Sequence, residues 1–175
     1  MNRGMVPMAL LLVAMVYWAW TFSSPLASLS SFLEYCSLGH ISTINQLLAS
    51  HPELLEAADG EGMTCLINAG KHGRVGLVKE LISNHHVQLN QPEAIHHALR
   101  GAAIYGQYEV CDLLLQAGAQ VDALSRGGLT ALMGAMRSGH LNIAQLLLRH
   151  GADCRIQNHF SETAKDLNPQ LVIDC

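Results

Sequence analysis

One spacing dominates this chain. Glycines at 39, 73, 106 and 139 recur at intervals of 34, 33 and 33 residues. Eight and nine residues after each comes an aliphatic pair: Leu47-Leu48, Leu81-Ile82, Leu114-Leu115 and Leu147-Leu148. Thr64, Thr130 and Thr163 fall in the same register, and Gly118-Ala119 returns as Gly151-Ala152. A period of this length marks copies of one supersecondary unit. Burying one Leu contributes roughly 1.5–3 kcal/mol, whereas ordering each residue costs about 1–2 kcal/mol of backbone entropy. A unit with a handful of apolar side chains cannot stand alone. Its neighbours must cover its faces, so the chain is a stack of coupled units.

The fourth copy shows what the unit is. In residues 129–138, Leu132 and Ala135 share one face; in residues 141–150, Ile143, Ala144, Leu147 and Leu148 do. These are the spacings of amphipathic helices. Gly139 falls where the first helix stops and the chain reverses, and Gly151 where the second stops. Glycine suits the left-handed backbone needed at both. Gly127-Gly128 predicts a tight turn, and Thr130 a cap on the helix that follows.

The tracts GLTALMGAMRSGHLNIAQLLLRHGAD and GMTCLINAGKHGRVGLVKELI resemble ankyrin repeats. The fourth unit carries the family pattern at Gly128, Thr130, Leu132, Ala135, Gly139, His140, Leu147, Leu148, Gly151 and Ala152. The resemblance covers about residues 30–166 and implies an all-α ankyrin-repeat solenoid of helix-turn-helix units. To this the N-terminal run adds an apolar helix. Residues 1–29 form the hydrophobic segment and residues 30–175 the repeat domain. Its four repeats lie near 30–58, 59–92, 93–125 and 126–158, with a partial capping unit at 159–175. Some units depart from the pattern. Ser30 stands at the threonine position of the first, and an extra residue enters its trailing loop. In the third, Ile95 and His97 replace the turn Gly and Thr, which predicts an irregular hairpin around residues 90–93. Pro169 limits the fifth to one capping helix.

Residues 5–22, MVPMALLLVAMVYWAWTF, contain no charge, and none occurs between Arg3 and Glu34. As a helix the run would reach about 27 Å, close to the roughly 30 Å of a bilayer's hydrocarbon core. Tyr17, Trp18 and Trp20 cluster at the end suited to the interface. A membrane anchor is the leading reading. A cleaved signal peptide, with small residues at Thr21 and Ser23, and a buried apolar helix are the alternatives. Arg3 alone would keep the N-terminus cytosolic and place the rest outside.

The five cysteines, at 36, 65, 111, 154 and 175, are odd in number and contain no CxxC. That signals neither zinc nor a disulfide framework. Cys36 and Cys111 fall at buried small-apolar positions, so a reducing compartment is the easier reading. The expected location is therefore a membrane with cytosolic repeats; secretion is the alternative.

The net charge of −4 and the lack of any Lys/Arg run argue against a nucleic-acid binder. There is no Gly-rich phosphate loop, HExxH or GxSxG, so no enzyme is expected and no cofactor is implied. Of ten histidines, His85-His86 and His96-His97 come nearest to a metal site. Adjacent helical residues point about 100° apart, so neither pair chelates ready-made and no metal is expected. His140 matches the histidine that, in the family's turn, bonds backbone.

Binding is the positive reading. The resemblance implies a non-catalytic scaffold that holds a protein partner on its concave face; the apolar run adds a membrane tether through residues 5–22, and a monomer is expected. A secreted or lumenal ligand is the alternative. By register, the inner helices offer Asn68, Lys71 and His72; Gly101, Ile104 and Tyr105; and Gly134, Arg137 and Ser138. The hairpin tips offer Asp59, Glu61, Leu124, Ser125, Arg126 and His159. Tyr105 and Arg137 are side-chain types that often dominate binding energy.

Overall fold

The computed structural model describes residues 26–84 and 92–173, and the apolar run at 5–22 lies outside them. The described residues form helices α1 (Leu26–Leu38), α2 (Ile41–Ser50), α3 (Cys65–Lys71), α4 (Val75–Ser83), α5 (Pro92–Ile104), α6 (Tyr108–Gln116), α7 (Ala131–Ser138), α8 (Leu141–Arg149) and α9 (Ala164–Leu167), with a 3₁₀ turn at Pro52–Leu55. Among them no strand occurs and no helix is long and apolar enough to cross a membrane.

Two helical rows run through the molecule. The inner row packs α1, α3, α5, α7 and α9 in succession; the outer row packs α2, α4, α6 and α8. Leu81, Leu114 and Leu147 are fully buried on the outer row. In the first unit Leu47 is only partly buried, and Ile44 and Leu48 carry the core face. Among the described elements α2 meets one outer neighbour, α4. The threonines cap as the register predicts: Thr64 accepts the Ile67 N–H and Thr130 the Met133 N–H. Thr163 and Asp166 form a reciprocal capping box on α9.

Two sets of cross-repeat or turn contacts recur with the period although their residue types do not. Gly73, Gly106 and Gly139 are each followed by a side chain that reaches back to the preceding inner helix. Arg74 Nε donates to the Ser37 carbonyl at 2.6 Å, Gln107 Nε2 to that of Lys71 at 3.4 Å, and His140 Nε2 to that of Ile104 at 3.2 Å. The acceptor in the last pair is a carbonyl, which places the imidazole proton on Nε2. The hairpin tips are tied likewise. Asp59 Oδ1 accepts the N–H groups of Glu61 and Met63, Ser125 Oγ that of Leu129, and Asn158 Oδ1 those of Phe160 and Glu162.

The matching position in the third unit is Pro92, which has no side-chain acceptor but suits the first turn of a helix. There α5 starts six residues earlier than Cys65 and Ala131 start theirs, and runs 13 residues against 7 in α3 and 8 in α7. The irregularity expected at 90–93 is thus, in its described part, a helix extended towards the N-terminus. The third unit's first helix begins at Pro92 and that of the first unit at Leu26.

The cysteines require a correction. Cys36 and Cys65, both fully buried, form a disulfide that joins α1 to the first residue of α3, across the first two units. Cys154 is disulfide-bonded too. Cys111 is a free thiol, buried in α6, and burial pushes its pKa up to about 12. An odd count with irregular spacing hides pairs that close only when two repeats stack. The inference of a reducing compartment loses its support.

Candidate protein-binding surface

Short inner helices and the turns before them build one open face. On it lies a cleft of about 660 Å³ that spans α3, α5 and two hairpin tips. It brings together eight of the residues singled out by register: Asp59, Glu61, Lys71, Gly101, Ile104, Tyr105, Ser125 and Arg126. Tyr105 is 53% exposed, and the Lys71 ammonium sits 4.9 Å from its ring centroid. That pair fixes a flat aromatic surface beside a positive charge. Ile67 gives the cleft a buried apolar floor.

Asn68 and His72 line an adjoining cleft against α1, with Leu33, Glu34 and Ser37. Asn68 Nδ2 donates to the Thr64 carbonyl, which ties down part of its side chain. Burial, then the nearby Lys71 and Arg74 charges, lower the pKa of His72. Arg137 and Ser138 are exposed on α7, one repeat beyond Ile104 and Tyr105, outside both clefts. Gly134 is a correction: it is buried, and a Cβ there would lie 2.8 Å from Ile104 Cγ1. Its missing side chain lets Ile104 settle onto α7. Leu124 is 57% exposed at its tip. Asp59 is occupied by its own turn, which leaves Glu61 as the tip's outward carboxylate.

Register reasoning missed His97 and Arg100, which also line the central cleft. They lie at one turn's spacing on the part of α5 that the repeat pattern reads as a turn and helix start. Burial lowers the pKa of His97 first, and the Arg100 charge adds to it. His96 faces elsewhere: its Nδ1 accepts the Gln120 N–H at 3.1 Å, and burial lowers its pKa. The pair at 85-86 lies outside the described residues. Among the described residues no three His, Cys, Asp or Glu side chains gather as a metal site. A further cleft, of about 1030 Å³, lies at the C-terminal end of the stack between Leu148, the hairpin at 151–155 and Lys165. Arg155 there is already paired with Asp153 at 2.9 Å.

Stacked helical hairpins, Thr caps and left-handed turn glycines define a class of repeat protein. A family model described as ankyrin repeats (3 copies) matches residues 32–124 and 98–158, so this chain belongs to the ankyrin repeat family. It is similar to the ankyrin repeat and KH domain-containing protein mask-1 of Caenorhabditis elegans, at 31% identity over 142 residues, covering 78% of this chain and 5% of that protein. The ankyrin repeat and SAM domain-containing protein 6 of Rattus norvegicus is 46% identical over 96 residues, 54% of this chain and 11% of that one. Mus musculus palmitoyltransferase ZDHHC13 is 33% identical over 112 residues, 62% of this chain and 18% of that one. The chain thus spans under a fifth of each relative's length.

Proposed function

We propose that this chain is a non-catalytic scaffold that binds a protein partner on the face built by its inner helices and hairpin tips. The observation that carries the reading is the cleft over α3 and α5, where Lys71, Ile104, Tyr105, Glu61 and Arg126 converge on a rigid, packed base. Repeat stacks present such extended surfaces without moving parts, and exposed aromatic and Arg side chains over an apolar floor match the make-up of binding hot spots. The scaffold acts as a single copy.

A photocrosslinking amino acid placed at position 105 in cells should capture a discrete protein. The same group at Gln145, exposed on outer helix α8, should not. Capture at 145 alone, or equal capture at both, defeats the reading.

Residues 5–22 serve in this proposal as a membrane anchor or export signal. The disulfide between Cys36 and Cys65 favours repeats on the oxidising side of the membrane, because such bonds are rare in cytosolic proteins. Both an uncleaved anchor obeying the charge of Arg3 and a cleaved signal place them there. Protease protection in sealed microsomes tests the side, since cytosolic repeats would be digested without detergent. Mass spectrometry of the mature N-terminus separates anchor from signal.

A further inference from the structure

Arg100 is the unusual group on the binding face. It is half-buried on α5, and burial lowers its pKa. Among the described residues no carboxylate lies within salt-bridge distance of it, of Arg126 or of Lys71. A guanidinium taken partly out of water without a counter-charge costs free energy that the fold itself does not recover. Its stem is held where α5 packs on α7, since a Cβ on Gly134 would lie 3.9 Å from Arg100 Cγ. Arg126, exposed at the next hairpin tip, opens onto the same cleft, as do Lys71 and the ring of Tyr105.

Two acidic groups share the cleft, but Asp59 accepts two backbone N–H groups of its own turn, and Glu61 stands at the far tip, before α3. Glu93 lies one turn before His97 at the start of α5, where it acts on His97 as the opposing charge. The cleft is therefore polarised, with its acids at the first hairpin and its cations over α3, α5 and the third hairpin.

We propose that this cleft receives an extended acidic peptide segment of the partner protein, a carboxylate side chain pairing with Arg100 and Arg126 while an apolar neighbour rests on Tyr105 and Ile104. The proposal rests on the binding-face reading above and names the partner's chemistry. A guanidinium fork donates two parallel hydrogen bonds to a carboxylate, and the partly desolvated setting strengthens them relative to a pair in water.

The test uses the full-length, oxidised chain in a mild non-ionic detergent and a phage-displayed library of random dodecapeptides. Enriched binders should carry Asp or Glu above the library's own frequency. They should weaken roughly tenfold or more on Arg100→Gln. Arg100→Lys should recover part of that loss, and Arg137→Gln, outside the cleft, should leave affinity unchanged. The melting temperature of Arg100→Gln should hold or rise, which separates lost recognition from lost folding.

Binders without acidic enrichment that still depend on Tyr105 overturn the charge proposal and leave the face intact as a binding surface. Acidic binders indifferent to Arg100→Gln overturn it as well. Binders indifferent to both Arg100→Gln and Tyr105→Ala overturn the charge proposal and the face together. A library that yields no binder overturns the peptide proposal, while crosslinking at position 105 judges the face separately.

Discussion

The hydroxyl of Thr130 accepts the Met133 N–H from a position only 1% exposed, so its removal leaves a buried donor without a partner. Thr130→Ala should therefore cost about 1–2 kcal/mol, read as a shift in the urea midpoint without a change in slope. Gly106 and His140 make a coupled pair. Gly106 has φ +78°, and a Cβ there would lie 2.8 Å from His140 Cε1. Gly106→Ala should cost about 1–2 kcal/mol through left-handed strain, plus what it takes to displace the imidazole from the Ile104 carbonyl. In a His140→Ala background only the strain remains, so the double mutant should fall short of the summed single effects.

Three histidines set a pH dependence. Burial lowers the folded pKa of His72, His96 and His97, so the unfolded chain binds more protons around their ordinary value of 6.5. Stability should then be lost as the pH falls through about 6.5, because protonation favours the unfolded state. His96→Gln, which keeps an acceptor within reach of the Gln120 N–H, should flatten that slope in thermal melts at pH 5–7. An unchanged slope would remove His96 from the account.

At the scale of elements, the bond between Cys36 and Cys65 closes a loop across 29 residues and ties α1 to α3. Its reduction should release about 3–4 kcal/mol of chain-entropy stabilisation, concentrated in the first unit. Hydrogen exchange of the chain against a Cys36→Ala/Cys65→Ala variant is the measurement, since reductant would open the Cys154 bond as well. Amides of α1 and α2 should lose protection well before those of α7 and α8, and uniform loss would contradict a local staple. Helix α5 is the other element with its own character. Pro92 stands where Asp59, Ser125 and Asn158 tie their turns, and the chain answers by starting a helix early. That extension carries His97 and Arg100 into the cleft.

The whole molecule is a one-dimensional array, so the same substitution should cost more in the middle than at an end. Leu114→Ala removes a fully buried side chain from α6, between two outer neighbours, and should cost about 3–5 kcal/mol. Leu48→Ala in α2, with one outer neighbour among the described elements, should cost roughly half that. Equal costs would mean that the first unit is covered as fully as the third.

The period of 33 residues, read with glycine and threonine positions alone, determined the repeat count, the helical hairpins, their caps and the columns Leu81, Leu114 and Leu147. These follow from local backbone preference and from amphipathic spacing, which act within one unit and so are written along the chain. That eight of the residues lining the cleft stand at register positions follows for the same reason. The tertiary structure decided the rest. The pairing of Cys36 with Cys65, the reach of Arg74, Gln107 and His140 to the preceding unit, the burial of Gly134 under Ile104 and the half-buried charge of Arg100 all depend on distances between repeats. Such distances are set by how one packed face seats on the next, and no spacing along a single strand of sequence encodes them.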